Sequence, residues 1–372
     1  VTAPDATPNG PDDAHRARRR RRRRQRLVAL LVGFGLPLLA IEIGVRVRHG
    51  NPVAQRLPLQ LVEANRFRGW QLVPDRDFYT YSELATINSL GFRGPEVAPR
   101  QPDELRVVAL GDSMTFGIGV DDEHTLPAFL ERELEARLDR PVTVINTGHA
   151  AYSTNQEIGV LLEHGATLDP DLVVLFWFFN DIDQPPVEEL NRRLTEGGPE
   201  TFETRNAFTG WPAWKWRIKN FTRHSAICAW WLWRNEHHTL GKDGLGRWSR
   251  ETVDDAFVSL DAWMYQFGLL EQQLGAKPAA VVIPFAPAVG DDDAARRHVS
   301  RTYDQRALET IADRGIPVMS VRPALEAAAE ELGRVPYLPY DYHWDADGNE
   351  AEAQAVAAWL IETYDLDALG RE

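Results

Sequence analysis

The sequence predicts one α/β domain built on a parallel sheet, carried behind an N-terminal helix long enough to cross a membrane. Three observations lead there. From residue 104 onward, short apolar runs alternate with helix-length amphipathic segments. Leu27 to Val45, apolar except for Glu42, follows directly on an arginine block. The 372-residue chain is otherwise 44% hydrophobic and 26% charged, an ordinary globular balance that rules out wholesale disorder.

The N-terminal segment reads as an anchor. Its 19 apolar residues rise about 28 Å as a helix, close to the hydrocarbon thickness of a bilayer. Gly33, Gly35 and Pro37 are tolerated in such helices. Glu42 lies one turn from the outer end, where it snorkels or pairs with Arg46 at i+4. The positive-inside rule keeps the arginines cytoplasmic and puts the remaining chain outside the cytoplasm, in a periplasm or at the cell surface. Two other readings compete. A nucleic-acid tail is disfavoured because the arginines abut an apolar run. A cleaved signal peptide is disfavoured because that run is long and no small-x-small site follows. Residues 1–26 are expected to be a disordered basic tail and 27–45 the membrane helix.

Charge and cysteine content narrow the partners. The net charge is −14 overall but +6 over residues 1–26 (nine arginines, three aspartates), which leaves −20 on the other 346 residues. So acidic a body is a poor nucleic-acid binder. Cys228 is the single cysteine, which excludes an internal disulfide framework and any multi-cysteine zinc or iron–sulfur site. There is no Walker-type phosphate loop, and no metal or organic cofactor is implied.

Residues 46–103, rich in Pro, Arg and Asn without sustained periodicity, read as a membrane-proximal stalk packing on the core. Asn88 to Glu96 (NSLGFRGPE) is a structured turn. Arg93 within it reaches either a substrate or a core carboxylate, and the structural role is the simpler one. Strands are expected at Arg106–Leu110, Pro141–Ile145, Asp171–Phe179, Ala279–Ile283 and Pro317–Val321. The third is a continuous apolar run suited to burial on both faces. Helices are expected at His124–Asp139, Thr154–Leu168, 252–274, 294–314 and Glu350–Tyr364. The rhythm stops at about 185–251, an insertion expected to lie as loops and helices over one sheet edge. It holds seven of the twelve tryptophans, from Trp211 to Trp248. These bind sugar rings or a membrane interface, or simply pack the insertion down. His237 and His238 lack a third metal ligand at recognisable spacing and read as surface residues.

The first strand runs into Gly111-Asp-Ser-Met-Thr-Phe-Gly117. A serine there lies at the carboxyl edge of the sheet, where open α/β folds hold ligands. The Gly-x-Ser-x-Gly elbow of α/β-hydrolases is absent. The heptapeptide resembles the first block of the GDSL, or SGNH, hydrolases. The other blocks then find places: Asn146-Thr-Gly148 after the second strand, Asn180-Asp181 after the third, and Asp341-Tyr-His343 near the C-terminus. The resemblance covers about residues 104–366, insertion excepted. It implies a flavodoxin-like three-layer α/β/α sandwich with five parallel strands in the order 2-1-3-4-5. It also implies a serine esterase acting through an acyl-enzyme.

In that reading Ser113 is the nucleophile, His343 its base, and Asp341 orients the imidazole. The amides of Ser113 and Gly148 and the Asn180 side chain form the oxyanion hole. Asp112 anchors the loop. Two departures from the family pattern stand out. Phe178 occupies the glycine place of Gly-x-Asn-Asp, which narrows the pocket beside Asn180. The last pair is Asp-x-His rather than Asp-x-x-His, so it must sit on an extended or turning segment. Asp345 or Asp347 is the alternative partner for the imidazole, although Asp345 suits a helix cap. The substrate is expected to be a small-molecule or glycan ester, such as an O-acetyl or other acyl group on an envelope glycan. Two other functions remain open: a membrane-anchored O-acyltransferase that passes the acyl group to a surface polysaccharide, and a non-catalytic glycan-binding protein.

Overall fold

The computed structural model describes residues 11–182, 187–201, 213–238, 249–284, 289 and 294–369. The first described element is α1 (Pro11–His49), whose Arg18–His49 part contains a window apolar and long enough to cross a membrane, none of it buried. The helix reaches back through residues expected to be a disordered tail. Arginine is a good helix former, and the apolar run beside it supplies the helical nucleus.

The stretch after α1 is more ordered than its sequence suggested. β1 (Leu61–Asn65) and β2 (Gly69–Leu72) form one antiparallel hairpin, and β3 (Phe78–Thr80) and β4 (Glu83–Ala85) another. Strands of three to five residues are too short to show a period. Their apolar side chains, among them Val62, Trp70, Leu72 and Phe78, join the same buried cluster as Val108 and Leu110 of the first core strand.

The core then alternates as expected. β5 (Leu105–Gly111) leads through the single turn α2 (Ser113–Phe116) to α3 (Leu126–Arg137), then β6 (Val142–Asn146), α4 (Thr154–Leu168) and β7 (Leu172–Phe178). The insertion follows as α5 (Val187–Gly197), β8 (Glu200–Thr201), α6 (Ala213–Thr222) and α7 (Ala226–His238). The chain returns with α8 (Arg250–Phe267), α9 (Leu270–Leu274), β9 (Lys277–Ile283), α10 (Ala294–Ala312), β10 (Val318–Ser320), α11 (Arg322–Leu332) and α12 (Ala346–Thr363).

The sheet runs β10-β9-β7-β5-β6 with every pair parallel. Counting only these five strands, that is the order 2-1-3-4-5. Alternate residues of each strand enter opposite layers. Val108, Val173 and Trp177 face a cluster that includes α4, α8 and α10. Val107, Val174 and Phe176 face one that includes α3, α11 and α12. The chain leaves β5 for β6 on one side and reaches β7 on the other, so the topological switch point lies at the carboxyl end of β5.

The insertion is placed differently from expectation. Rather than covering a sheet edge, α7 docks its first turn on α1, where the Glu42 carboxylate accepts hydrogen bonds from Ser225 Oγ (2.8 Å), Ala226 N (2.7 Å) and Ile227 N (3.1 Å). A free helix N-terminus wants an anionic acceptor, and Glu42 is the one within reach. Trp211 and Trp248 lie outside the described residues.

Candidate active site

Ser113 stands at the switch point because β5 stops at Gly111 and a helix begins at once. A side chain at 111 would place its Cβ 2.1 Å from Thr115 Oγ1, so only glycine lets the chain turn there. Asp112 caps the turn, its Oδ1 accepting from Met114 N at 2.8 Å. Arg93 holds the far side. It is buried, pairs with Asp122 at 2.8 Å, and donates to the carbonyls of Phe116 (2.9 Å), Gly117 (2.5 Å) and Val120 (2.7 Å). It is therefore a structural residue that fixes the nucleophile loop.

The imidazole of His343 reaches this serine from the other end of the chain. Its Nε2 lies 2.9 Å from Ser113 Oγ and its Nδ1 2.5 Å from Asp341 Oδ1. A tight turn makes the short Asp-x-His spacing workable. Leu338 N donates to His343 O at 2.9 Å, Asp341 N donates to Leu338 O at 3.1 Å, and Tyr340 adopts φ 61° between them. The Asp341 side chain, 11% exposed, is shielded, whereas His343 at 23% stays within reach of a substrate.

The electrostatics follow from that placement. Burial alone pushes the Asp341 carboxyl up, but the charge and hydrogen bond of His343 outweigh it and hold it well below the ordinary range. Burial disfavours the charged His343 ring, but Asp341, with help from Asp112, overcompensates and raises it above the ordinary histidine value. Asp345 and Asp347 are engaged elsewhere: Asp345 caps α12 through Gly348 N (3.2 Å), and both bind Arg334.

The expected oxyanion groups border the same turn. Ser113 N opens a helix and has no intrahelical acceptor. Gly148 packs so closely that a Cβ there would lie 2.4 Å from Phe116 N. Its amide donates to Asn146 Oδ1 at 3.0 Å, so a substrate oxygen must share or displace that acceptor. Asn180 binds the Asp112 carboxylate through its side chain. Phe178, at the family's glycine place, is buried among the apolar side chains of the layer that holds Phe176 and Ile283.

Two features escaped the sequence reading. Tyr81, from the segment after α1, donates its hydroxyl to Asp341 Oδ2. It sits at φ 53°, a strained conformation for a tyrosine. Arg223 stacks over its ring at 5.1 Å. No motif announces such a residue, because it lies 260 positions from its partner. The second feature is a set of buried carboxyls behind the nucleophile turn. Burial pushes Asp112, Glu157, Asp181 and Glu352 up, and the charge of Asp112 raises the other three further, Glu352 to about 8. A cleft lined by Pro52, Tyr81, Arg223, Trp233, Tyr340 and Asp341 touches the triad acid, but neither Ser113 nor His343 lines it.

A serine, an imidazole and a carboxylate in one hydrogen-bonded line, at the switch point of a five-stranded parallel sheet, define the class as a serine-type hydrolase of SGNH architecture. The GDSL-like Lipase/Acylhydrolase family matches residues 109–351, well over half of the chain, and the chain belongs to that family. It is an ester-hydrolysing enzyme. No curated protein matches it by sequence. Among solved structures it is similar to the acetyl xylan esterase AlAXEase, at 13% identity and TM-score 0.41 over 69% of this chain and 99% of that one. It is similar too to the acetylxylan esterase Axe2 of Geobacillus stearothermophilus, at 15% identity and TM-score 0.38 over 70% and 95% of the two chains. A lipase/acylhydrolase from Enterococcus faecalis gives 16% identity and TM-score 0.38 over 72% and 98%.

Proposed function

We propose that this enzyme is a membrane-anchored serine esterase that works through an acyl-enzyme on Ser113. The unbroken line from Ser113 Oγ through His343 to Asp341 is the observation that carries the reading. In the first step His343 Nε2 takes the Ser113 proton as Oγ attacks the ester carbonyl. Asp341 stabilises the imidazolium that forms. The oxyanion gathers the Ser113 amide, the Asn180 side chain and, once it displaces Asn146 Oδ1, the Gly148 amide. His343 then returns the proton to the leaving alcohol. Water, deprotonated by the same nitrogen, releases the acid.

The N-terminal helix supplies the anchor in this reading. Its arginines stay in the cytoplasm and the catalytic domain faces outward. The test is a serine-directed fluorophosphonate probe with p-nitrophenyl acetate as substrate, applied to the full chain in detergent. Labelling and acetate release that vanish in Ser113→Ala are expected. Turnover retained by Ser113→Ala would overturn the proposal. Retention in the membrane pellet after alkaline carbonate tests the anchor separately.

A further inference from the structure

We infer that the α6–α7 hairpin is a second membrane-contacting element, docked along the spanning helix with its tip at the outer edge of the hydrocarbon layer, just beneath the headgroups. The inference rests on the anchor reading above, and its occupant is the bilayer that α1 crosses.

The depth of the tip is read from its hydrogen bonds. Glu42 lies 16 residues beyond Arg26, about 24 Å along an α-helix, so it sits inside a hydrocarbon layer about 30 Å thick. At that level it accepts from Ser225, Ala226 and Ile227, while Arg46, one turn higher, donates to His224 O at 2.9 Å. Seven residues beyond Glu42, His49 meets the Trp230 ring, 6.5 Å away. From Glu42 to His49 the α7 partners advance from Ala226 to Trp230, so α7 rises out of the membrane beside α1 and its first turn, with the 222–225 turn before it, lies at the Glu42–Arg46 level.

The chemistry of the hairpin suits that depth. Phe221 is 77% exposed, Trp231 59% and Ile218 56%, three large apolar side chains gathered on one hairpin. Arg217 and Arg234 are exposed beside them, placed for lipid phosphates. Glu42 is explained as well. A carboxylate in an apolar span is costly unless it is partnered, and bare N–H groups at a helix start are costly in lipid. Each satisfies the other, and Arg46 Nε adds a fourth donor at 2.9 Å.

The experiment uses the full chain reconstituted in vesicles of phosphatidylcholine with a minor share of phosphatidylglycerol. In a Cys228→Ser background, single cysteines replace Phe34, Phe221 or Glu135 and carry an environment-sensitive fluorophore. Nitroxide lipids quench either near the headgroup or at mid-bilayer. Fluorophosphonate labelling of Ser113 verifies that each variant is folded, and Ile218→Cys replaces Phe221→Cys should the latter fail that check. A label at 34 quenched from mid-bilayer, a label at 221 quenched chiefly from the headgroup position, and none at 135 are expected. Quenching at 34 without quenching at 221 overturns the hairpin inference and leaves the anchor standing. No quenching at 34 overturns the anchor itself.

Discussion

Tyr81 offers the sharpest test of how the site is held. The Asp341 carboxylate divides its work between two oxygens. Oδ1 accepts from Tyr342 N (2.8 Å), His343 N (3.1 Å) and the imidazole, whereas Oδ2 takes the Tyr81 hydroxyl. In Tyr81→Phe the ring remains and that single donor goes. A hydrogen bond to a charged, shielded group contributes about 1.5–3 kcal/mol. If that stabilisation is spent on keeping the carboxylate aligned with the imidazole in the transition state, kcat/KM falls roughly 10- to 100-fold.

The sign of the pH effect separates positioning from a general loss of structure. Asp341 without Tyr81 is a more basic carboxylate, so it favours the imidazolium more strongly. His343 already stands above its ordinary value because of Asp341, and it rises further. The acid limb of kcat/KM, where the base becomes protonated, therefore moves to higher pH in Tyr81→Phe. Asp341→Asn moves it the other way. The assay is p-nitrophenyl acetate hydrolysis across pH for wild type, both single variants and the double variant. In the Asp341→Asn background, loss of the Tyr81 hydroxyl is expected to change the rate by less than about twofold, since its route to the chemistry is gone. Independent, multiplying effects or an unshifted acid limb in Tyr81→Phe would refute the argument.

Three further outcomes follow from the same geometry. Asp112→Asn keeps the cap on Met114 N but removes a charge that raises His343, so the acid limb of kcat/KM shifts to lower pH, by less than in Asp341→Asn. Gly148→Ala forces a Cβ to within 2.4 Å of the Phe116 amide; overpacking of this kind costs about 1–3 kcal/mol, seen as a lower Tm together with reduced turnover because the disturbed helix carries Ser113. Glu352, raised by burial to about 8, binds its proton more tightly folded than unfolded, so its contribution to stability is complete in acid and is lost as pH rises through 8. Denaturant unfolding of Glu352→Gln should therefore lose less stability than wild type between about pH 6 and 9.

The parts of this enzyme that could be read from sequence are those whose physics is local. The five sheet strands announce themselves as short apolar runs, and the fully buried Leu172 to Phe178 needs no partner to be recognised. The short blocks around Ser113, Gly148, Asn180 and His343 each end a strand or precede the last helix, so their order along the chain already implies one sheet edge. α11 is not among the expected helices; it follows β10 after a single residue, so no separate break marks its start. The β1–β4 strands were missed because their alternation is too brief to count. Tyr81 could not be assigned at all, and Arg93 and Glu42 only in part: the i+4 spacing gives Arg46 as the partner of Glu42, and a carboxylate suits Arg93, but their remaining partners are chosen by tertiary packing.

Those three residues share a direction. Arg93 stitches the nucleophile loop, Tyr81 holds the triad acid, and Glu42 holds the turn that carries Arg223 over Tyr81. Gly50, the first residue past α1, completes the pattern: its carbonyl accepts from Tyr340 at 3.1 Å, next to Asp341, and a side chain there would strike Pro339 at 2.9 Å. Residues 50–93 therefore pack directly on the Ser113 and Asp341 segments, and α1 contacts the turn that carries Arg223. A spacer can be shortened without consequence to catalysis. This segment cannot, because each deletion within it would shift Tyr81 or Arg93 relative to an acid and a nucleophile that come from opposite ends of the sheet domain.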